Sequence, residues 1–416
     1  MKLSPVFTSI ALALTCSSTS VLAKDFIPIE TFPEWFKTAM SRSIDVTKES
    51  DFSLASVAAK GKVKGEISLV DESEGTWYYH IDIGTPTPVE CYVFNEYDGP
   101  ANSLHAIVDL SLNGAAELNG KTRSAQFNYA IDTGVIGNTP YLQLDTLYHL
   151  GEGEEKVAGM IKAYSAQTND TLEICVHNEL GYRDIFFDVF SSFVNTFNSE
   201  PADAPFFESV YEMRINDIPM GFAVEKYTKD ADGDVMIESE TALLVPVDAN
   251  TVSRTDSADI SWSRPDGSLI NGSTYTIDNG VLSSEFEISV ADDKWHVEGQ
   301  IQGKAVSADL AYDGWLLSDF GSYLETADLI KSDAESAQFK MWTPDADPVS
   351  AISITLSKVT GNEDANMKID MGPMVLDFYA EDNGIFKHGV MAQGPINIFM
   401  KSIYTQGVPS LWFRVE

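Results

Sequence analysis

Three aspartates at alternate positions, Asp230, Asp232 and Asp234 in the run DADGD, offer carboxylate oxygens at a spacing that could chelate calcium. The EF-hand pattern is not met, because Val235 stands where that loop needs glycine and Thr241 where it needs the bidentate glutamate. An acidic turn between two strands is the other reading of the same residues. Two cysteines, Cys91 and Cys175, sit in segments that read as strands. In an oxidising compartment they are expected to pair, with two buried free thiols as the alternative. Six histidines, His80, His105, His149, His177, His296 and His388, are scattered, so acid–base chemistry would need the fold to gather them. No G-x-S-x-G elbow, H-E-x-x-H or C-x-x-C is present. Gly114 to Thr122 (GAAELNGKT) comes near a phosphate loop, but five residues separate its glycines where four are required, so it reads as a plain loop. With 63 Asp and Glu, no single carboxylate pair suited to glycoside hydrolysis stands out.

The compartment is written at the start of the chain. Lys2 is followed by a short apolar run, Val6 to Leu14, and then by Val21-Leu22-Ala23, a small-x-small cleavage pattern. This predicts a signal peptide over 1–23, a mature chain from near Lys24, and a periplasmic or secreted protein. The apolar run is too short to span a bilayer. Cys16 would carry lipid in a bacterial lipoprotein, but Ala13-Leu14-Thr15 places leucine one position late and threonine where a smaller residue is usual. A net charge of −36 repels phosphate backbones and anionic headgroups, which argues against nucleic-acid binding and electrostatic membrane docking. Such acidity is expected to keep an exported protein in solution.

The elements that must position any site fall into two groups, and the expected class is α+β. A first domain is predicted over 24–198: an opening helix with Thr31 and Glu34 at capping-box spacing, several strands, a short helix over 103–110, two long strands and a hairpin. It closes on an amphipathic helix over 184–197 with Ile185, Phe186, Val189, Phe190, Phe193, Val194 and Phe197 on one side. A polar stretch with two prolines, Asn198 to Pro205 (NSEPADAP), reads as a linker, which is placed at 199–210. Residues 211–416 read as strand after strand, with turn pairs such as Asp266-Gly267, Asn279-Gly280 and Asn383-Gly384. This second domain is expected to be a half-barrel or a sandwich, with one helix near 320–332 capped by Asp319.

The aromatic strand Trp77-Tyr78-Tyr79, the cysteine-bearing strand and the closing helix YRDIFFDVFSSF resemble the PsbP-like α-β-α domains of exported proteins over residues 26–198. That resemblance implies an α/β sandwich serving as a non-enzymatic adaptor or binding domain. The second half bears a looser resemblance to curved-sheet envelope proteins that hold lipids or lipoproteins. The function expected is therefore non-catalytic, with no cofactor: binding of a lipid, another apolar ligand or an envelope protein segment by inward aromatics, among them Trp262, Trp295, Trp315, Phe339 and Trp342. A secreted hydrolase with a site assembled from distant residues is the alternative, and a structural envelope protein joined through strand edges is a third.

Overall fold

The structure is a computed structural model that describes residues 26–168, 171–198, 204–216, 218–344, 347–372, 374–393 and 396–409. The expected signal peptide, Cys16 and residues 199–203 of the expected linker lie outside these. The architecture is β-rich and built on two large antiparallel sheets.

Helix α1 (Glu34–Met40) opens the chain. Its capping box does not form: Thr31 donates to the Pro28 carbonyl, and Pro33 holds the N-cap position. A ribbon of β1 (Glu49–Leu54) and β2 (Ala59–Lys64) follows. Strands β3 (Glu66–Ser73), β4 (Thr76–Asp82), β5 (Val89–Phe94), β6 (Arg123–Ile136), β7 (Thr139–Leu150), β8 (Val157–Gln167) and β9 (Leu172–His177) form the first sheet, ordered β3-β4-β5-β9-β8-β7-β6. Helix α2 (Pro100–Leu118) lies on one face and α3 (Arg183–Val194) on the other, where its six buried apolar residues meet Trp77, Cys91 and Tyr164. Helix α2 runs well past the 103–110 expected, taking in part of the segment read as a loop. Leu112, Ala115 and Ala116 continue its buried face, and that burial outweighs the roughly 1 kcal/mol that Gly114 costs a helix.

The second sheet has fourteen strands: β10 (Phe207–Ile215), β11 (Ile218–Lys229), β12 (Val235–Pro246), β13 (Val252–Ser263), β14 (Leu269–Asp278), β15 (Val281–Ala291), β16 (Lys294–Ile301), β17 (Lys304–Asp309), β18 (Ser336–Trp342), β19 (Ala351–Lys358), β20 (Met367–Asp370), β21 (Val375–Ala380), β22 (Phe386–Gln393) and β23 (Ile396–Gly407). Strand β10 starts inside the expected linker, because Phe207 is fully buried and already pairs with both β11 and β23. From β14 the sheet curls through β10 and β23 to β18, and the strand-like Leu317 closes the circuit by bridging Ser268 on one side and Met341 on the other. Strands β15 to β17 continue beyond this seam as a ribbon whose Phe286, Ile288 and Trp295 pack with Trp342 and Ala351.

Helix α4 (Asp319–Lys331) sits within the curl. Phe320 and Tyr323 pack on Phe207, Tyr227, Val235 and Ile237, while Leu329 meets Leu356, Met367 and Phe378 from the opposite wall. The outer face of the curl docks on the first sheet: Val210, Phe222, Val224, Ala242 and Leu244 share one core with α2 and with Ile131, Leu142 and Ile161. Strands β10 to β12 are thus buried on both faces.

Candidate functional site

The N-cap of α4 is Ser318, whose hydroxyl accepts the Gly321 N–H at 3.0 Å, and not the expected Asp319. Asp319 therefore has its carboxylate free for another use. It lines a cavity of about 230 Å³ at the seam, together with Leu317, Met341, Trp342, Met374 and Met391 on the apolar side and Ser261, Ser273 and Thr343 on the polar side. Asp319 is an exposed residue, and the protein packed around it raises its carboxyl above the usual range by desolvation.

Glu225 stands on the inward face of β11, two positions from Tyr227, within electrostatic reach of Asp319. Its carboxylate accepts hydrogen bonds from the hydroxyls of Tyr323 at 2.9 Å and Tyr211 at 3.1 Å, and those two hydroxyls lie 2.6 Å apart. Burial, followed by repulsion from Asp319, pushes Glu225 up to about 7, against the pull of the tyrosine hydrogen bonds. The Tyr227 hydroxyl is buried with no hydrogen-bond partner among the described residues.

A larger cleft, about 510 Å³, lies between the two sheets and is lined by Glu96, Glu240, Asp256 and Tyr275. Its buried carboxylates are already engaged. Asp256 accepts the backbone N–H groups of Ala101 (2.9 Å) and Asn102 (2.8 Å) and the Asn102 side-chain amide (2.7 Å), and Glu240 accepts two hydrogen bonds from Gln167. This cleft is the joint between the sheets, with a helix N-terminus satisfied across it.

Cys91 and Cys175 form the expected disulfide; they face one another directly across β5 and β9, both fully buried. Asp230 spends a carboxylate oxygen on the backbone N–H groups of Asp232 and Asp234, and among the described residues no three His, Cys, Asp or Glu are grouped to hold a metal ion. The acidic-turn reading describes this segment. Of the aromatics, Trp342 reaches the seam cavity and Phe339 packs beside it on Met341 and Ile354. Trp295 is core, its indole N–H held by the Gly314 carbonyl at 2.8 Å. Trp262 lies on β13 and does not line the cavity, and Trp315 is exposed.

The histidines do not converge. His177 is buried in the first sheet and pushed down to about 3, burial first and Lys162 second. His296 has the contacts of a hydrolase base, with Asp309 at 2.9 Å and the Ser307 hydroxyl at 3.3 Å. The three lie exposed on the β16–β17 ribbon, line neither cavity described above, and share the imidazole with Glu298 at 3.5 Å. Nothing there would exclude water or hold a substrate against the serine. Sequence reasoning passed over Glu225, Tyr211, Tyr227, Tyr323 and the seam methionines. The signal was a glutamate at the inward parity of a strand otherwise rich in apolar residues.

No family model and no curated protein matches the chain. Among solved structures, a β-barrel-like protein of the domain of unknown function DUF1849 from Brucella abortus is similar at 14% identity, over 50% of this chain and 99% of that one, with a TM-score of 0.39. At that distance the likeness carries no argument about fold detail or function. No helix among the described residues is long and apolar enough to cross a membrane, and the disulfide fits a non-cytoplasmic protein.

Proposed function

We propose that this chain is an exported, non-catalytic binding protein whose curled sheet takes one apolar chain into the seam cavity. The observation that supports this reading most is the cavity wall of Met341, Met374, Met391, Leu317 and Trp342. Unbranched, polarisable methionines adapt to the shape of whatever enters, a property suited to a ligand of variable conformation. At about 230 Å³ the space is below the range for drug-sized ligands, so it suits a single alkyl chain or one large side chain of a partner better than a multi-chain lipid. The export signal and the PsbP-like reading of the first half belong to the same proposal, in which the first sheet is a support that buries the outer face of the curl.

Native mass spectrometry of the full chain purified from its producing cell, before and after organic extraction, tests this. The expected result is a mature mass starting near Lys24 and an extractable single-chain adduct. A mature protein that never carries an adduct and takes up no added 1-octanol would overturn the binding reading.

A further inference from the structure

We infer that the seam cavity is also a site for a soft monovalent metal ion, copper(I) or silver(I), held by the thioethers of Met341, Met374 and Met391. This goes beyond the apolar-chain reading and does not depend on it. All three side chains line the same space of about 230 Å³. The strand register explains why they meet there. Leu376 on β21 faces Met391 on β22 directly, and Met374 lies two positions before Leu376, so Met374 and Met391 are diagonal neighbours on the inner face. Met371 donates its backbone N–H to the Met374 carbonyl at 3.0 Å and packs on the cluster that holds Met341. The β20–β21 turn thereby brings Met374 to the side of the curl where β18 presents Met341. Further thioethers follow behind the cavity: Met400 on β23 stands diagonal to Met391 and directly across from Met213 on β10, all three in or against one core.

A thioether is a soft, neutral donor, the kind that selects copper(I) and its heavier counterpart silver(I). It has no proton to lose, so acid does not compete with the metal as it does for thiolate, imidazole or carboxylate ligands. Calcium, magnesium and zinc need those other ligands, and among the described residues no three His, Cys, Asp or Glu are grouped to supply them. Methionines that only fill a core close the gaps around them, whereas these three border open space. Met341 and Met374 are 8% and 7% exposed, which shields a bound ion from water, and three rotatable bonds let each thioether close on it. Trp342 lines the same space with its indole N–H tied to the Pro348 carbonyl at 2.9 Å, and an indole ring attracts a cation. The net charge of −36 draws cations towards the protein as a whole.

Titration of the full chain carrying Cys16→Ser with silver(I) nitrate, in chloride-free buffer at pH 5 and pH 7, tests the assignment. That substitution leaves no free thiol, since Cys91 and Cys175 are bridged. The expected result is saturable binding of one silver ion per chain, with affinities within a few-fold at the two pH values. In methionine-methyl NMR the signals of Met341, Met374 and Met391 should shift together, while Met160 in its separate core stays in place. Met341→Leu, Met374→Leu and Met391→Leu, made singly, keep an apolar side chain of similar size, and each is expected to weaken silver binding about tenfold or more. Should a variant fail to fold, the methyl shifts of the parent chain carry the test. An affinity about tenfold or more lower at pH 5 would show imidazole ligands, whose ordinary value is near 6.5, and overturn the assignment. Silver binding that all three substitutions leave unchanged, or no silver binding at all, overturns it as well. Uptake of 1-octanol by a protein that takes no silver removes the metal site and leaves the apolar-chain reading standing; silver binding without uptake of 1-octanol does the reverse.

Discussion

Cys91 and Cys175 show how far single residues could be read. Their pairing followed from compartment and count, and the fold sets them opposite one another on neighbouring strands. The bridge closes 84 residues, for which chain entropy gives a stabilisation of about 4–5 kcal/mol. Replacing both with alanine is expected to lower unfolding free energy by about 2–5 kcal/mol in denaturant titration. An unchanged midpoint would show that the surrounding core, with Trp77 and Phe190, suffices without it. Glu225 was not legible. Strand β11 alternates Phe222 and Val224 with Ala223, Glu225 and Tyr227, a pattern that ordinarily means one buried and one wet face. Here the first sheet covers one side and α4 the other, so the glutamate that looked solvated faces the interior.

At the scale of elements, the joint between the sheets rests on Asp256. Its carboxylate takes the first free N–H groups of α2, the place where a helix has orphan donors and a positive end. The chain approaches so closely that a side chain on Gly99, at φ 100°, would meet the Asp256 carboxylate at 2.3 Å. Asp256→Ala is expected to cost about 1–3 kcal/mol and to speed amide exchange in the first turn of α2. Exchange there at the wild-type rate would mean that the shared apolar core alone holds the joint. The sequence showed the change of character near residue 205, where turn pairs begin to punctuate strand after strand. It did not show that the halves share a core, because a strand's alternation marks which residues are buried and not which partner buries them. For the same reason the seam was invisible: Leu317 closes the sheet through isolated bridges, with no strand of its own.

At the scale of the molecule, buried carboxyls set the response to pH. Glu173 is pushed up to about 8, and Asp256 and Glu225 to about 7, in each case by burial first. A raised folded value means that the native state binds protons more readily than the unfolded chain. The associated stability is fully present below the unfolded values near 4 and is lost as pH rises through 7 to 8. His177, pushed down to about 3, acts in the opposite sense below its ordinary value of 6.5. Among the described residues Glu240, Asp319 and Glu325 are raised as well, and His105 and His149 are lowered with His177, so six acids against three histidines leave a net gain on acidification, and protonation also reduces the net charge of −36. The thermal midpoint is expected to rise by on the order of a few degrees from pH 8 to pH 5; a fall over that interval would contradict the burial of these groups. The seam cavity is tested most directly by NMR of the full chain carrying methyl-labelled methionine, titrated with 1-octanol. The account predicts that the methyls of Met341, Met374 and Met391 shift together and saturate, while Met160, buried in a separate core of the first half, stays in place. Seam methyls that do not move, or that move no more than Met160, would contradict it.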